Sequence, residues 1–301
     1  MDAEIEWVKY VFNKLDSLGF WEHIELNPNI TFENKKYFHR RWDYTNLSQN
    51  PNITMDIVNK NRHYNMYKQW SYGDLAANPT ITWNDICTKK DKGWYRHEVI
   101  KKESVTFDIF LNNLDFFIKK DIYWFSQNPN LTLDIILNYP EYMDKWNFYD
   151  ISNHKNITFE MILANKQLKW NFKGICENPN ITWDIIKKYE YRIKWRYDWL
   201  STNPNITWDI VKNNLDKKWC FARLSMNPNI TFDIIMDNPQ YKWNYRYFLW
   251  NKNLTLKTLE YAMKKIDTSE LSNYDCIKVC KNEFKQDKDE FIRRETQFCS
   301  F

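Results

Sequence analysis

Apolar and polar positions in this chain fall into two short registers, each met again and again. In the first, an aliphatic residue, a Thr, an apolar residue, an acid and two aliphatics follow one another. Ile206, Thr207, Trp208, Asp209, Ile210 and Val211 are a clear case. The threonines are Thr31, Thr54, Thr82, Thr106, Thr132, Thr158, Thr182, Thr207, Thr231 and Thr255, and their spacing runs from 23 (Thr31 to Thr54) to 28 (Thr54 to Thr82). A fixed period in that range means a repeat architecture. The second register starts at Trp42, Trp70, Trp94, Trp146, Trp170, Trp195, Trp219 and Trp243. Each of these precedes its Thr by 12 positions, as Trp195 precedes Thr207, whereas the return from Thr to the next Trp varies from 11 (Thr31 to Trp42) to 16 (Thr54 to Trp70). Insertions settle in surface loops. The leg before each Trp is therefore a loop, and the leg from Trp through Asn-Pro-Asn to Thr is rigid.

Both registers read as helix starts. Thr is a good N-cap, because its hydroxyl accepts a first-turn N–H that has no partner inside the helix. Two positions on stands an acid in eight copies, Glu33, Asp56, Asp108, Asp134, Glu160, Asp184, Asp209 and Asp233, which complements the positive end of the helix dipole. Apolar residues just before Thr and four after it, such as Ile206 with Val211 and Ile230 with Ile235, form a hydrophobic staple. The first copy breaks this rule, with Lys35 at the fourth position. Pro140 and Pro239 end their helices early. After Trp comes a frequent capping residue, Asp43, Ser71, Asn147, Asn171 or Asn244, then an aromatic such as Tyr44, Phe148, Phe172 or Phe221. Leu47, Ile151, Ile175, Leu200 and Leu224 take the staple position, and the Asn-Pro turn closes the helix.

The expected fold is all-α: a solenoid of about ten short helix pairs, roughly 24 residues each. Helices this short need stacked neighbours. A β-containing, leucine-rich-repeat-like solenoid is the alternative, because Ile206, Trp208 and Ile210 also alternate as in a strand. Against it stand the duplicated capping pattern and a total of four glycines. Residues 1–26 are expected to form an N-terminal cap, 27–263 the repeats and 264–301 a C-terminal helical cap, together one elongated domain. Lys102, Glu103 and Ser104 replace the Asn-Pro-Asn turn, and Lys120 stands where a Trp is due, so an irregularity is expected near 100–126.

Composition narrows the picture further. The chain has 301 residues, 43% hydrophobic and 18% aromatic, enough to bury a sizeable core. No apolar run approaches a membrane span, and Met1 to Lys14 lacks the features of a secretory signal. Six scattered cysteines without framework spacing point to a reducing, intracellular setting.

The phrase Asn-Pro-Asn-Ile-Thr-Trp-Asp-Ile at 203–210 recurs unchanged at 178–185 and with Phe at 227–234. It resembles the NPNIT-type repeat proteins of giant DNA viruses that infect amoebae, marseillevirus- and mimivirus-like, over about residues 27 to 260. The resemblance implies a viral protein made in an amoebal cell, in host cytoplasm or nucleus or packaged in the virion. That family has no assigned activity and transfers no catalytic residue.

Candidate chemistry is sparse. The repeated acids sit in equivalent first turns, whereas catalytic pairs need distinct environments. His23, His39, His63, His97 and His154 lack metal-ligand spacing. Cys276 and Cys280 lie one helical turn apart, with Cys299 beyond, and terminal-helix packing accounts for them. No phosphate loop, dinucleotide fingerprint, nucleophile elbow or zincin pattern is present. A basic residue precedes Trp at Arg41, Lys145, Lys169, Lys194, Lys218 and Lys242. In a stacked array these would align into a stripe for phosphate or an acidic partner, or else pair with neighbouring acids. The tryptophans could stack on bases, but their staple positions favour core packing. The expected function is a non-enzymatic scaffold for protein–protein interaction, with no cofactor, metal or membrane. Nucleic-acid binding through the basic stripe is the alternative, expected to be weak because net charge is +4, and a structural virion component is the third class.

Overall fold

The computed structural model describes residues 3–38, 42–61 and 69–298. Among them are 21 α-helices and five 3-10 helices, and no strand. The chain is all-α, with a repeat-like order of short helices, and the β-containing alternative is set aside. Contact density divides it into two compact units, Met1–Ile81 with Tyr245–Phe301, and Thr82–Asn244. The described parts of the two expected caps, 3–26 and 264–298, thus belong to one unit.

The Thr-led helices form where the capping pattern places them. Nine threonines, from Thr54 to Thr255, accept the backbone N–H three residues on at 3.2 to 3.4 Å. The copy with the broken staple is the exception, since Thr31 is followed by a 3-10 helix, Asn34–Tyr37. The apolar residue before each of the ten threonines is at most 3% exposed. Its staple partner is buried too, as at Val58, Ile136, Val211 and Ile235. Each such pair closes a helix entrance over core and removes apolar area from water at about 25 cal/mol per Å².

The Trp-led helices are shorter, often one turn, such as Tyr197–Leu200 and Phe221–Leu224. Asp43, Ser71, Asn147 and Asn171 cap theirs with side-chain oxygens. Arg196 and Cys220 stand at the same position without a side-chain cap. Trp70, Trp94, Trp146, Trp195 and Trp219 are buried, while Trp42, Trp170 and Trp243 are partly exposed. The indole N–H has a task of its own. Those of Trp94, Trp170, Trp219 and Trp243 each donate at 2.8 Å to the carbonyl five residues earlier, beyond the end of the preceding Thr-led helix. Trp70 and Trp195 reach a carbonyl nine residues earlier at 3.1 Å. The ring thereby fills the core and satisfies an orphan carbonyl at a helix C-terminal end. The Trp146 indole N–H is buried without a partner, in the copy where Pro140 starts a 3-10 turn in the preceding loop.

Successive repeats are joined through the Asn-Pro-Asn turns. In Thr82–Asn244, the first Asn of each turn sends its carboxamide N–H groups to main-chain oxygens of the preceding turn. Asn128 reaches Ile100, Lys102 and Val105 at 2.6 to 3.0 Å. Asn178 reaches Ser152, His154 and Ile157 at 2.8 to 3.2 Å. Asn203 and Asn227 continue the row to Cys176 and Asn178, and to Ser201 and Asn203. The second Asn does likewise, Asn205 donating to Pro179 and Ile181 at 2.7 and 3.1 Å and Asn229 to Pro204 and Ile206 at the same distances. The first Asn also accepts the N–H of the second within its own turn, as Asn203 does from Asn205 at 2.8 Å. Such fully satisfied buried networks fix register. The other unit uses the same bonds, with Asn50 on Glu25, Asn27 and Ile30, and Asn78 on Ser48, Asn50 and Ile53.

Candidate interaction surface

The basic residues before Trp do not behave alike. Arg41 lies outside the described residues. Lys145 is partly exposed and donates to the Glu141 carbonyl at 3.3 Å, with its ammonium 5.7 Å from the Tyr142 ring centre. Lys169 pairs with Asp144 at 2.9 Å, one repeat back. That hydrogen bond and charge hold the exposed Asp144 carboxyl below its ordinary range. Lys194, Lys218 and Lys242 are exposed and make no ion pair with any described residue. All three belong to the unit Thr82–Asn244 and stand at equivalent positions of consecutive repeats.

The acids of the Thr-led helices are exposed, and two of them have a local partner. Asp184 pairs with Lys187 at 3.1 Å and Asp209 with Lys212 at 3.0 Å, each one turn along the same helix. Such pairs contribute a few tenths of a kcal/mol.

A second polar group lies among the Trp-led helices and has no signature in the repeated phrase. Tyr149 donates to Glu177 at 2.5 Å, and Arg223 and Lys173 stand 3.7 and 3.9 Å from the same carboxylate. Burial and the Glu177 carboxylate push the Tyr149 phenol well above its ordinary value. Beside it, Arg196 holds Asp198 in a two-point contact at 2.7 and 2.9 Å and lies 4.2 Å from the Trp199 ring centre. Its hydrogen bonds keep Asp198 ionised well below the usual carboxylate range. In this group each carboxylate has an internal cation.

The histidines are structural or peripheral. His154 takes the place of the first Asn in its turn. Its Nε2 lies 3.0 Å from the Asn128 carbonyl, and its Nδ1 accepts the Asn156 N–H at 3.1 Å. That pairing requires the neutral ring protonated on Nε2, and burial lowers its pKa accordingly. His97 stacks on Tyr95, with ring centres 5.6 Å apart, and meets Trp124 at a tilt, 5.5 Å away. His39 and His63 lie outside the described residues. Burial raises the thiols of Cys276 and Cys280 above the ordinary range, which makes them poor nucleophiles. Cys299 is not described. Among the described residues, no group of His, Cys, Asp and Glu could hold a metal ion, and no helix is long and apolar enough to cross a membrane.

One row of side chains escapes sequence reasoning. Ser48, Ser126, Ser152, Ser201 and Ser225, two residues before the first Asn (or His154) of their turns, are fully buried or nearly so. Each hydroxyl accepts the N–H of the residue after the Trp that opens the next Trp-led helix, at 2.8 to 3.0 Å. Cys176 fills the same slot and accepts from the Arg196 N–H, while burial pushes its thiol up to about 12. Glu25 fills it for Asp43, at 3.2 Å. The signal was present as a small polar residue at a fixed offset from the turn. Its partner lies 19 to 23 residues on, beyond the reach of a local pattern. No family model matches the chain, and neither a curated protein nor a solved structure does.

Proposed function

We propose that this protein is a non-enzymatic helical-repeat scaffold that holds a protein partner, viral or host, carrying an acidic surface. One observation carries the reading. The repeated Asn, Ser, Thr and Trp side chains serve cohesion between and within repeats, whereas Lys194, Lys218 and Lys242 recur with no internal task. A row of ammonium groups on equivalent repeats suits a partner whose carboxylates recur along an extended segment. The NPNIT-type phrase supports a viral setting in an amoebal host.

Duplex or single-stranded nucleic acid is the second reading, favoured by the same unpaired lysines. The small net charge of +4 argues for weak binding of phosphate. The test is affinity capture with the parent and with the Lys194→Gln, Lys218→Gln, Lys242→Gln variant, each with and without nuclease. Nuclease-resistant recovery of a defined acidic protein, lost with the variant, is the expected result. Nuclease-sensitive recovery moves the assignment to nucleic acid. Equal recovery by parent and variant refutes the lysine surface altogether.

A further inference from the structure

The first repeat does not present a bare edge. Asn27 donates to the carbonyls of Cys280 and Asn282 at 2.9 and 3.0 Å, and Asn29 donates to that of Glu283 at 3.0 Å. These are the bonds that Asn50 and Asn52 make one repeat later to Glu25, Asn27 and Pro28. Residues 272–288 therefore stand where a repeat preceding the first would stand, though they contain no Asn-Pro-Asn turn. They take part through main-chain oxygens. Recognition of that kind depends on backbone course rather than on a matching phrase.

The segment is anchored at several further points of the same unit. Arg246 and Trp250 each bond Asp275 at 2.9 Å, the Leu256 N–H donates to Asp287 at 2.8 Å, and Lys288 pairs with Glu4 at 2.8 Å. Two features suit it to opening as a unit. The connection between helices Leu256–Met263 and Asn273–Cys280 is exposed at Lys264, Lys265 and Asp267–Glu270, with one short 3-10 turn inside it. Inside the segment, Phe284 holds φ at +49°, the sole positive value among described non-glycine residues. A bulky residue there is strained.

We propose that residues 272–298 are an exchangeable latch, the helix Lys285–Phe298 running on unbroken and moving with the segment. Released through the 264–271 connection, the latch of one copy docks on the Asn27–Asn29 edge of a second copy, and the two form a reciprocal, closed dimer. The occupant is a second copy of this chain, because the edge already fits that backbone and every bond of the closed monomer is remade in the exchange.

Two ion pairs on either side of the connection provide the test. Lys288–Glu4 crosses it, whereas Lys14–Glu260, at 2.6 Å, does not. Full-length protein of natural isotope content is mixed with an equal amount of nitrogen-15 protein. The mixture is concentrated with mild warming, sized by light scattering and treated with a zero-length carboxyl-to-amine crosslinker. The expected result is a dimer fraction in which about half of the Glu4–Lys288 crosslinks join a light to a heavy chain. The Lys14–Glu260 crosslinks in that fraction stay within one isotope. Asn27→Asp sets a carboxylate against the Cys280 and Asn282 carbonyls in the closed monomer and the exchanged dimer alike, so it should leave the dimer fraction nearly unchanged and speed the appearance of light–heavy Glu4–Lys288 crosslinks at least about threefold. A protein that stays monomeric at every concentration, or dimers whose Glu4–Lys288 crosslinks remain single-isotope, would overturn the proposal.

Discussion

The carboxamide of Asn203 donates to the main-chain oxygen of Asn178 at 3.0 Å, and the two residues hold the same place in successive repeats. The turn that ends one helix is thus the rung that binds the next repeat. A turn by itself accepts Asp or Ser as readily as Asn. A rung does not, because it needs two N–H donors and no charge. Asn203→Ala should cost about 2–4 kcal/mol, since it removes two buried bonds and leaves carbonyls unsatisfied. Asn203→Asp should cost at least as much at neutral pH, although it keeps the shape. Facing carbonyl oxygens, the new carboxyl will have a folded pKa above its unfolded one. Its deficit should shrink as pH falls through that raised value. Denaturant melts of both variants at pH 7 and pH 5 check this, and an Asp variant as stable as the parent at pH 7 refutes the rung.

The caps and the core ring should separate cleanly by magnitude. Thr207→Ala removes one exposed cap bond, 3.3 Å from the Ile210 N–H, and should cost about 1 kcal/mol. Trp195→Ala removes a ring 5% exposed, bonded to the Ile186 carbonyl at 3.1 Å and stacked on Phe172 at 5.8 Å. It should cost about 3–5 kcal/mol. Thermal and chemical melts give both numbers, and a Trp195 variant melting with the parent would reopen a surface role for that ring.

Lys102 stands where the other turns carry Asn, and burial lowers its pKa to about 8, with Glu98 and Asp85 pulling the other way. The unfolded chain keeps that proton to about 10.4. Between these values the unfolded state binds more protons, so this group makes stability rise with pH from about 8 upward. Lys102→Asn should therefore stabilise the protein by about 0.5–2 kcal/mol at pH 7. The gap between variant and parent should narrow as pH approaches 10. A gap that is constant from pH 7 to pH 10 would show that the lysine carries no burial cost.

Much of this was legible in the sequence, for a physical reason. A threonine cap and its staple are satisfied three to five residues away, so Thr207 with Ile206 and Val211 declares its helix locally. The expected irregularity at 100–126 coincides with Lys102 standing in the place of the first Asn of a turn. The rungs and the serine row were not legible, because Asn203 and Ser201 bond partners 19 to 27 residues away. The turn already supplied a sufficient reason for Asn. The latch was hidden more deeply still, since Cys280, Asn282 and Glu283 act through carbonyls that every residue possesses. Sequence spacing marked the basic residues before Trp but could not tell the paired Lys169 from the unpaired Lys194.

Length tolerance should follow the same division. Three Gly/Ser residues added near Leu215 or Asp216 enter an exposed loop, where natural copies already differ, and should be mild. The same addition between Pro204 and Ile206 would pull Asn205 away from Pro179 and Ile181 and undo its turn with Asn203. Expression and melting of the two insertion variants check this, and equal losses would contradict the placement of the variable loop.

The last prediction weighs the two partner classes. Each lysine neutralised in a duplex contact lowers the slope of log affinity against log salt by about 0.9. Lys169 is already paired with Asp144, at 2.9 Å, so Lys169→Gln should change the slope less than Lys194→Gln, Lys218→Gln or Lys242→Gln. For the parent, the small net charge of +4 leads us to expect sequence-indifferent duplex binding that vanishes near 0.15 M salt, where screening acts over about 8 Å. An acidic protein partner buries apolar area and desolvates its ion pairs, so its binding should persist at that salt and fall with the same three lysines. Duplex binding that stays tight at 0.15 M salt in the parent and is lost in the triple variant would reverse the order of the two readings.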